Sequence, residues 1–174
     1  MAYNIVEFMN EASFDADVLS VQNATLPLDD GYLGKLTGLV SGERDLYLIA
    51  VPAAVTTEEV VMVVGAEVYV DANGMRVPLH NKASFTYPAT RPVRAYRLRA
   101  GMRFKVNTAG IDGSPVVGQY VIPVNGTFQY AAAADLTGNT RVAFIVEETG
   151  TATCNIFTGK TMVDATIIRV VKGV

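Results

Sequence analysis

The strongest constraint on the fold is an alternation of apolar and polar side chains over residues 93–107. A period of two residues is typical of a half-buried β-strand, because successive side chains point to opposite faces. The inward set is Tyr96, Leu98, Ala100, Met102, Phe104 and Val106, and the outward set is Arg97, Arg99, Arg103, Lys105 and Asn107. The pattern predicts two strands joined at, or kinked around, Ala100-Gly101, with the basic side chains on a solvent or partner face.

Short β-favouring runs separated by turn signals continue through the chain from residue 46. They predict strands at 46–51, 60–64, 66–70, 75–79, 116–124, 127–130, 141–147 and 161–171. Asn73-Gly74 lies between two of these runs and predicts a β-hairpin, whereas residues 131–136 are compatible with one helical turn. Many short, evenly spaced strands indicate a sandwich or a barrel. We therefore predict an all-β fold, or a mainly β fold with one or two short helices, whose body is a β-barrel or β-sandwich.

The first 45 residues differ from the rest of the chain. Their apolar residues are scattered, their periodicity is weak, and glycines recur at positions 31, 34, 38 and 42. A segment of this kind needs a surface to pack on if it is to be ordered. The sequence therefore divides into an extended N-terminal arm and irregular segment over 1–45 and a β body over 46–174.

Charge is sorted along the chain. Residues 1–40 carry six carboxylates and one lysine, and residues 72–111 carry eight basic residues and no acid. This separation favours electrostatic complementarity between segments or between subunits, although a plain solvated face is the alternative. Aromatic residues within the basic segment would also suit nucleic-acid stacking. The whole chain is acidic, with a pI of about 5.1, so we do not expect nucleic acid as a partner.

Composition argues against an enzyme. The chain has one Cys and one His in 174 residues, so it cannot build an internal disulfide or a metal site from several Cys and His. No nucleophile motif accompanies His80, and Cys154 is expected to be a small buried residue. We predict no catalytic residues, no metal and no cofactor. Charged residues make up only 18% of the chain, which favours surfaces reserved for partners.

Targeting signals are also not expected. The sequence contains no run of 18 apolar residues, so we expect no transmembrane helix. The acidic N-terminus lacks the basic region of a signal peptide. We therefore expect synthesis in a cytoplasm, no export and no membrane partner.

Four short motifs in the second half of the chain carry a family resemblance. They read L-x-x-G-x-x-F from Leu98 to Phe104, G-x-Y-V-x-P-x-N-G from Gly118 to Gly126, V-E-E from Val146, and a closing I-x-R-V strand. In this order the motifs resemble small β-barrel proteins encoded in the structural-gene region of tailed bacteriophages, including head decoration (cement) proteins. The resemblance covers roughly residues 90–172.

The resemblance implies a virion structural protein made in the host cytoplasm and placed on the capsid exterior. Such a protein binds the major capsid protein, and copies of itself as an oligomer or as lattice neighbours, and stabilises the contacts between capsid subunits. The expected contact residues are apolar side chains of the arm and the basic face of the alternating segment: Ile5, Val6, Phe8, Phe14, Arg97, Arg99 and Arg103. Two alternatives remain open, a tail or neck protein that forms rings and a β-barrel that binds a small ligand or carbohydrate.

Overall fold

A computed structural model of the chain describes residues 5–10, 17–65, 68–70, 76–78, 86–136, 140–151, 154–157 and 162–173. Within these ranges the chain forms fifteen strands, the 3₁₀ helix Thr108–Gly110 and no α-helix. The strands are β1 (Val6–Asn10), β2 (Val18–Gln22), β3 (Leu33–Leu39), β4 (Leu46–Ala50), β5 (Val60–Val63), β6 (Val68–Val70), β7 (Arg76–Pro78), β8 (Val93–Arg97), β9 (Arg103–Asn107), β10 (Ile111–Asp112), β11 (Tyr120–Pro123), β12 (Tyr130–Ala133), β13 (Ala143–Thr149), β14 (Asn155–Phe157) and β15 (Met162–Lys172). The predicted all-β class is confirmed.

The larger of the two main sheets contains eight of the described strands. Seven of them follow the order β1-β9-β15-β13-β11-β12-β10, and β14 pairs with the first part of β15. The long strand β15 is an interior strand and pairs antiparallel with β9 on one side and β13 on the other. Residues far apart in sequence are therefore brought side by side on this sheet.

The other main sheet is a closed barrel in the order β2-β4-β3-β5-β8. The β2–β4 pair is parallel, and the remaining pairs are antiparallel. Side chains fill the interior, as expected for a barrel of so few strands. The buried interior residues are Leu19, Val21, Leu28, Ile49, Val61, Val63, Tyr87, Val93, Ala95 and Phe128.

Strand β5 joins the barrel to the larger sheet. Val61 and Val63 point into the barrel, whereas Val60 and Met62 pack in a second core with residues of the larger sheet. All four residues are buried, which explains why this strand reads as a continuous apolar run rather than as an alternation. β5 belongs to the barrel, and its side chains therefore contribute to both cores.

The segment predicted as an arm contributes strands to both sheets. β1 is an edge strand of the larger sheet and pairs with β9, and β2 and β3 are staves of the barrel. Two features weaken the signal of β1 in the sequence: it spans only five residues, and a bulge between Phe8 and Asn10 interrupts its pairing with β9. Residues 1–4 and 11–16, including Phe14, lie outside the described residues.

Two further local predictions have definite outcomes. The strands that flank Asn73-Gly74, β6 and β7, pair antiparallel with Val70 opposite Arg76, and the turn itself lies outside the described residues. The helical turn predicted from Ala131 was wrong, because these alanines form β12 and pair with β11 and β10. Pairing on both sides outweighs the modest helix preference of alanine.

Candidate interaction surface

Three of the four apolar residues predicted to contact a partner, Ile5, Val6 and Phe8, pack within this chain. Ile5 and Val6 are 1% and 6% exposed. The Phe8 ring lies between two others, 4.6 Å from Tyr96 and 4.9 Å from Phe104 between ring centroids. In this conformation the described part of the predicted arm is thus held by its own core, and Phe8 connects the larger sheet to the barrel.

Two of the predicted basic contact residues are paired with carboxylates of this chain. Arg97 Nε lies 2.7 Å from Glu59 Oε1. Arg99 donates to both carboxylate oxygens of Asp17, with 2.8 Å between Nη2 and Oδ1. Asp17 belongs to the acidic segment and is only 2% exposed, so the charge separation seen in the sequence places one acidic and one basic residue together in the fold.

Arg103, the third predicted basic residue, belongs to a cluster that the sequence did not reveal. Arg103 on β9 is paired in register with Arg169 on β15. The carboxylate of Glu147 lies between them and accepts from both, with 2.7 Å from Arg103 Nε to Oε2 and 2.6 Å from Arg169 Nε to Oε1. We call Arg103, Glu147 and Arg169 the arginine clamp.

A β-bulge places Glu147 in this position. Val146 pairs with Ile168 and Glu148 pairs with Ile167, so Glu147 is an extra residue without a Cα partner on β15. Bulges commonly redirect a side chain in this way. The bulge therefore allows β13 to supply a carboxylate to two arginines on the next two strands.

The arginine clamp lies on the face of the larger sheet that points away from the barrel. Phe104 and Ile168, the neighbours of Arg103 and Arg169 in sequence, point to the opposite face and are fully buried in the shared core. The side chains of Arg103 and Arg169 are 38% and 41% exposed, and that of Glu147 is 25% exposed. The clamp is therefore accessible to solvent although all three side chains are held in place.

The charges of the arginine clamp set the ionisation of Glu147. Partial burial alone would raise the pKa of this carboxyl, but hydrogen bonds from Arg169 and Arg103 and their positive charges outweigh burial and lower the pKa. Glu147 is consequently ionised at neutral pH. Two cations and one anion leave the clamp with a net positive charge.

The residues in register with the arginine clamp form a row across the sheet. Asn10 pairs with Arg103, and on the other side Ile145 pairs with Arg169 and Tyr120 with Ile145. The row combines a central charged pair with half-buried apolar and aromatic neighbours. Surfaces of this mixed composition are common at protein–protein contacts.

The largest exposed apolar side chains lie elsewhere. Phe157 and Met162 are 59% and 60% exposed and face each other across the β14–β15 pair. Val116 and Val117 are about half exposed in the segment before β11. These side chains are accessible, but they carry no feature that identifies a partner.

The described residues also bear on the expected chemistry. Cys154 is buried at 1% exposure, as predicted for a small core residue, and packs with Ile5 and Ile156. Within the described ranges, no three acidic, His or Cys side chains are grouped so that they could hold a metal ion. Of the helices in the same ranges, none has the length and apolar character needed to cross a membrane.

Comparison with known proteins gives no relative: no family model, no curated protein and no solved structure matches this chain.

The sequence predicted one of the three residues of the arginine clamp and not the other two. The alternating pattern identified Arg103 as outward-facing, which the structure confirms. Glu147 and Arg169 were not selected as site residues, although both lie in quoted motifs, V-E-E and I-x-R-V. Their proximity depends on the register of three strands and on one bulge, neither of which a single sequence displays.

Proposed function

We propose that this chain is a virion structural protein of a tailed bacteriophage, a head decoration protein that binds the outside of the capsid and stabilises contacts between major capsid subunits. In this role it performs no catalysis and needs no cofactor. Its partners are the major capsid protein and neighbouring copies of itself, and neither a membrane nor nucleic acid takes part.

The main support is the placement of the motifs that carry the resemblance. Phe104, Val121, Val146 and Val170 come from the four motifs, and all are buried in the core shared by the two sheets. Glu147 and Arg169 come from the last two motifs and form the exposed arginine clamp. One set of motifs therefore supplies both a rigid sheet and a charged surface on it, which suits a protein whose task is to hold its neighbours.

Co-sedimentation tests the proposal. The full chain is mixed with capsids assembled from the major capsid protein encoded beside its gene, and the capsids are pelleted through a sucrose cushion. We expect saturable binding at a fixed number of copies per capsid, and decorated capsids should resist heating better than bare ones. A pellet free of the chain, or a gene that lies outside any phage structural region, would refute the proposal.

The place of the protein in the virion needs its own control. Empty capsids and isolated tails are tested in parallel at equal protein mass. Binding to capsids alone supports a head decoration protein. Binding to tails alone, or ring formation by the isolated chain, would instead support the tail or neck alternative.

A further inference from the structure

We propose that Arg103 and Arg169 of the arginine clamp together bind a carboxylate side chain of the partner protein. In this contact a partner carboxylate pairs with two guanidinium groups, and Arg169 joins Arg103 as a partner-binding residue. This inference rests on the proposed function only for the identity of the partner as a capsid subunit.

Arg103 and Arg169 both keep hydrogen-bond donors that Glu147 does not use. A guanidinium group carries five N–H donors in a fixed plane, and each clamp arginine uses its Nε donor on Glu147. Among the described residues, no acceptor is bonded to the Nη groups of either arginine. Both arginines therefore hold unused donors on an accessible face, in the geometry that pairs bidentately with carboxylates.

The net charge of the arginine clamp also favours binding of a carboxylate. Glu147 neutralises one of the two guanidinium groups, so the clamp retains one positive charge, and a single further carboxylate would balance it. Lys105, the nearest basic residue along β9, is in register with Glu7 and donates to the Asn155 carbonyl oxygen at 3.2 Å. The excess charge is therefore located at Arg103 and Arg169.

The net charge of the chain favours a protein carboxylate over a polyphosphate as the partner of the clamp. The chain has a net charge of −3, so a nucleic acid would be repelled by most of the molecule. A single acidic side chain carries one charge and approaches the sheet within a larger contact. Such charged contacts mainly fix register and partner choice.

The two arginine side chains of the clamp are preorganised for binding. Glu147 holds the Nε edge of each guanidinium, so the rotamers of both long side chains are already restricted before a partner arrives. Ordering a flexible side chain upon binding costs conformational entropy. Glu147 thus lowers the entropic cost of binding, while its carboxylate competes with the partner carboxylate for the two guanidinium groups.

The test uses the full-length, isotope-labelled chain and hexaglutamate as the carboxylate probe, with hexaglutamine as the uncharged control. NMR follows the Nε–Hε signals of the arginines at low ionic strength. We expect saturable shifts at Arg103 and Arg169 with hexaglutamate and none with hexaglutamine. The binding should weaken as salt is added, because exposed charges are screened.

Two substitutions distinguish a binding site from a purely structural cluster, because at a binding site they should change the affinity for hexaglutamate in opposite directions. Arg169→Gln should weaken hexaglutamate binding about three- to fivefold, the usual scale for an exposed ion pair. Glu147→Gln should tighten it about two- to fivefold, because the competing carboxylate is removed. Arg44→Gln on the barrel, at an exposed arginine with no ion pair in the described part, changes net charge equally and should leave the affinity unchanged.

Three results would overturn the proposal: an affinity unaffected by Arg169→Gln, an affinity reduced by Glu147→Gln in protein that remains folded, or inorganic phosphate binding the clamp more tightly than hexaglutamate does. Thermal unfolding of each variant shows whether it is folded. Capsid binding is measured separately, so the proposed function can fail while the clamp still binds hexaglutamate, and the reverse outcome is equally visible.

Discussion

Arg103 and Arg169 lie directly opposite each other on neighbouring strands, a like-charge pair that would be destabilising if it were left alone. One carboxylate from a third strand offsets the repulsion between them. Glu147 Oε2 lies 2.7 Å from Arg103 Nε, and Glu147 Oε1 lies 2.6 Å from Arg169 Nε. Three strands that are distant in sequence, β9, β13 and β15, are connected on this face by a single side chain.

Removing that carboxylate should weaken the sheet. Glu147→Ala leaves two arginines opposed across β9 and β15, and we expect it to lower the free energy of unfolding by about 1 kcal/mol at low salt. Urea denaturation measures the change. The loss should shrink in high salt, and Arg169→Gln in the Glu147→Ala background should recover part of it. Equal losses at low and high salt would show that repulsion is not the cause.

The Phe8 ring should contribute to folding although it lies in the segment that reads as an arm. Phe8→Ala removes contacts with Tyr96 and Phe104, and we expect a loss of about 2–3 kcal/mol, somewhat less than for a fully buried phenylalanine. Met9→Ala on the same strand is the control, since Met9 is 44% exposed. Similar losses for the two variants would contradict the packing described for β1.

Tyr130 connects the two sheets through its hydroxyl. It is 1% exposed on β12, and its hydroxyl donates to the carbonyl oxygen of Gly31 in the barrel. Tyr130→Phe should lower the free energy of unfolding by about 1–3 kcal/mol, because the buried carbonyl loses its partner. Tyr120→Phe, at a half-buried site on β11, should change stability little. A Tyr130→Phe protein as stable as the wild type would refute this role.

Glu58 should make stability depend on pH in the acid range. Backbone hydrogen bonding from Ala54 and the Lys35 ammonium, which outweigh desolvation, lower its pKa from 4.5 to about 2. A carboxyl with a lower pKa in the folded state stabilises above its unfolded pKa and loses that contribution as pH falls through the folded value. The stabilisation should therefore be complete above about pH 4.5 and vanish towards pH 2.

The Glu58 prediction is measured by urea denaturation at several pH values. Wild type should exceed Glu58→Gln in stability at pH 6, and the two should converge near pH 2. Glu43→Gln, in the exposed turn between β3 and β4, should follow the wild-type curve. A constant difference between wild type and Glu58→Gln across this range would contradict the assigned hydrogen bonds.

The sequence predicted some elements well because their physics is local. Residues 102–107 alternate cleanly because one face of β9 is buried, and burial of one face is what an alternating pattern encodes. β8 departs from the pattern because the adjacent Ala95 and Tyr96 are both buried, and Ala100, predicted to point inward, is exposed. The signal of β1 is weak because five residues with a bulge carry too little pattern. The strand β12 was predicted as a helical turn because its alanines have no β preference of their own, and its pairing partners determine its conformation.

The arginine clamp shows the same limit at the level of the site. Arg103 could be placed on an outward face from its position in the alternation. Glu147 could not, because a bulge is a property of two paired strands and leaves no mark in the sequence of one. The pairing of Arg103 with Arg169 likewise depends on the β9–β15 register, which joins positions 66 residues apart.

The most direct test of the central claim is an electron cryomicroscopy reconstruction of the phage virion that is proposed to carry this chain. The account predicts density for the chain on the outer surface of the capsid, with the clamp face of the larger sheet turned towards a capsid subunit and an Asp or Glu side chain of that subunit within hydrogen-bond distance of Arg103 or Arg169. Density confined to the tail or neck, or a clamp face turned away from every subunit, would contradict it.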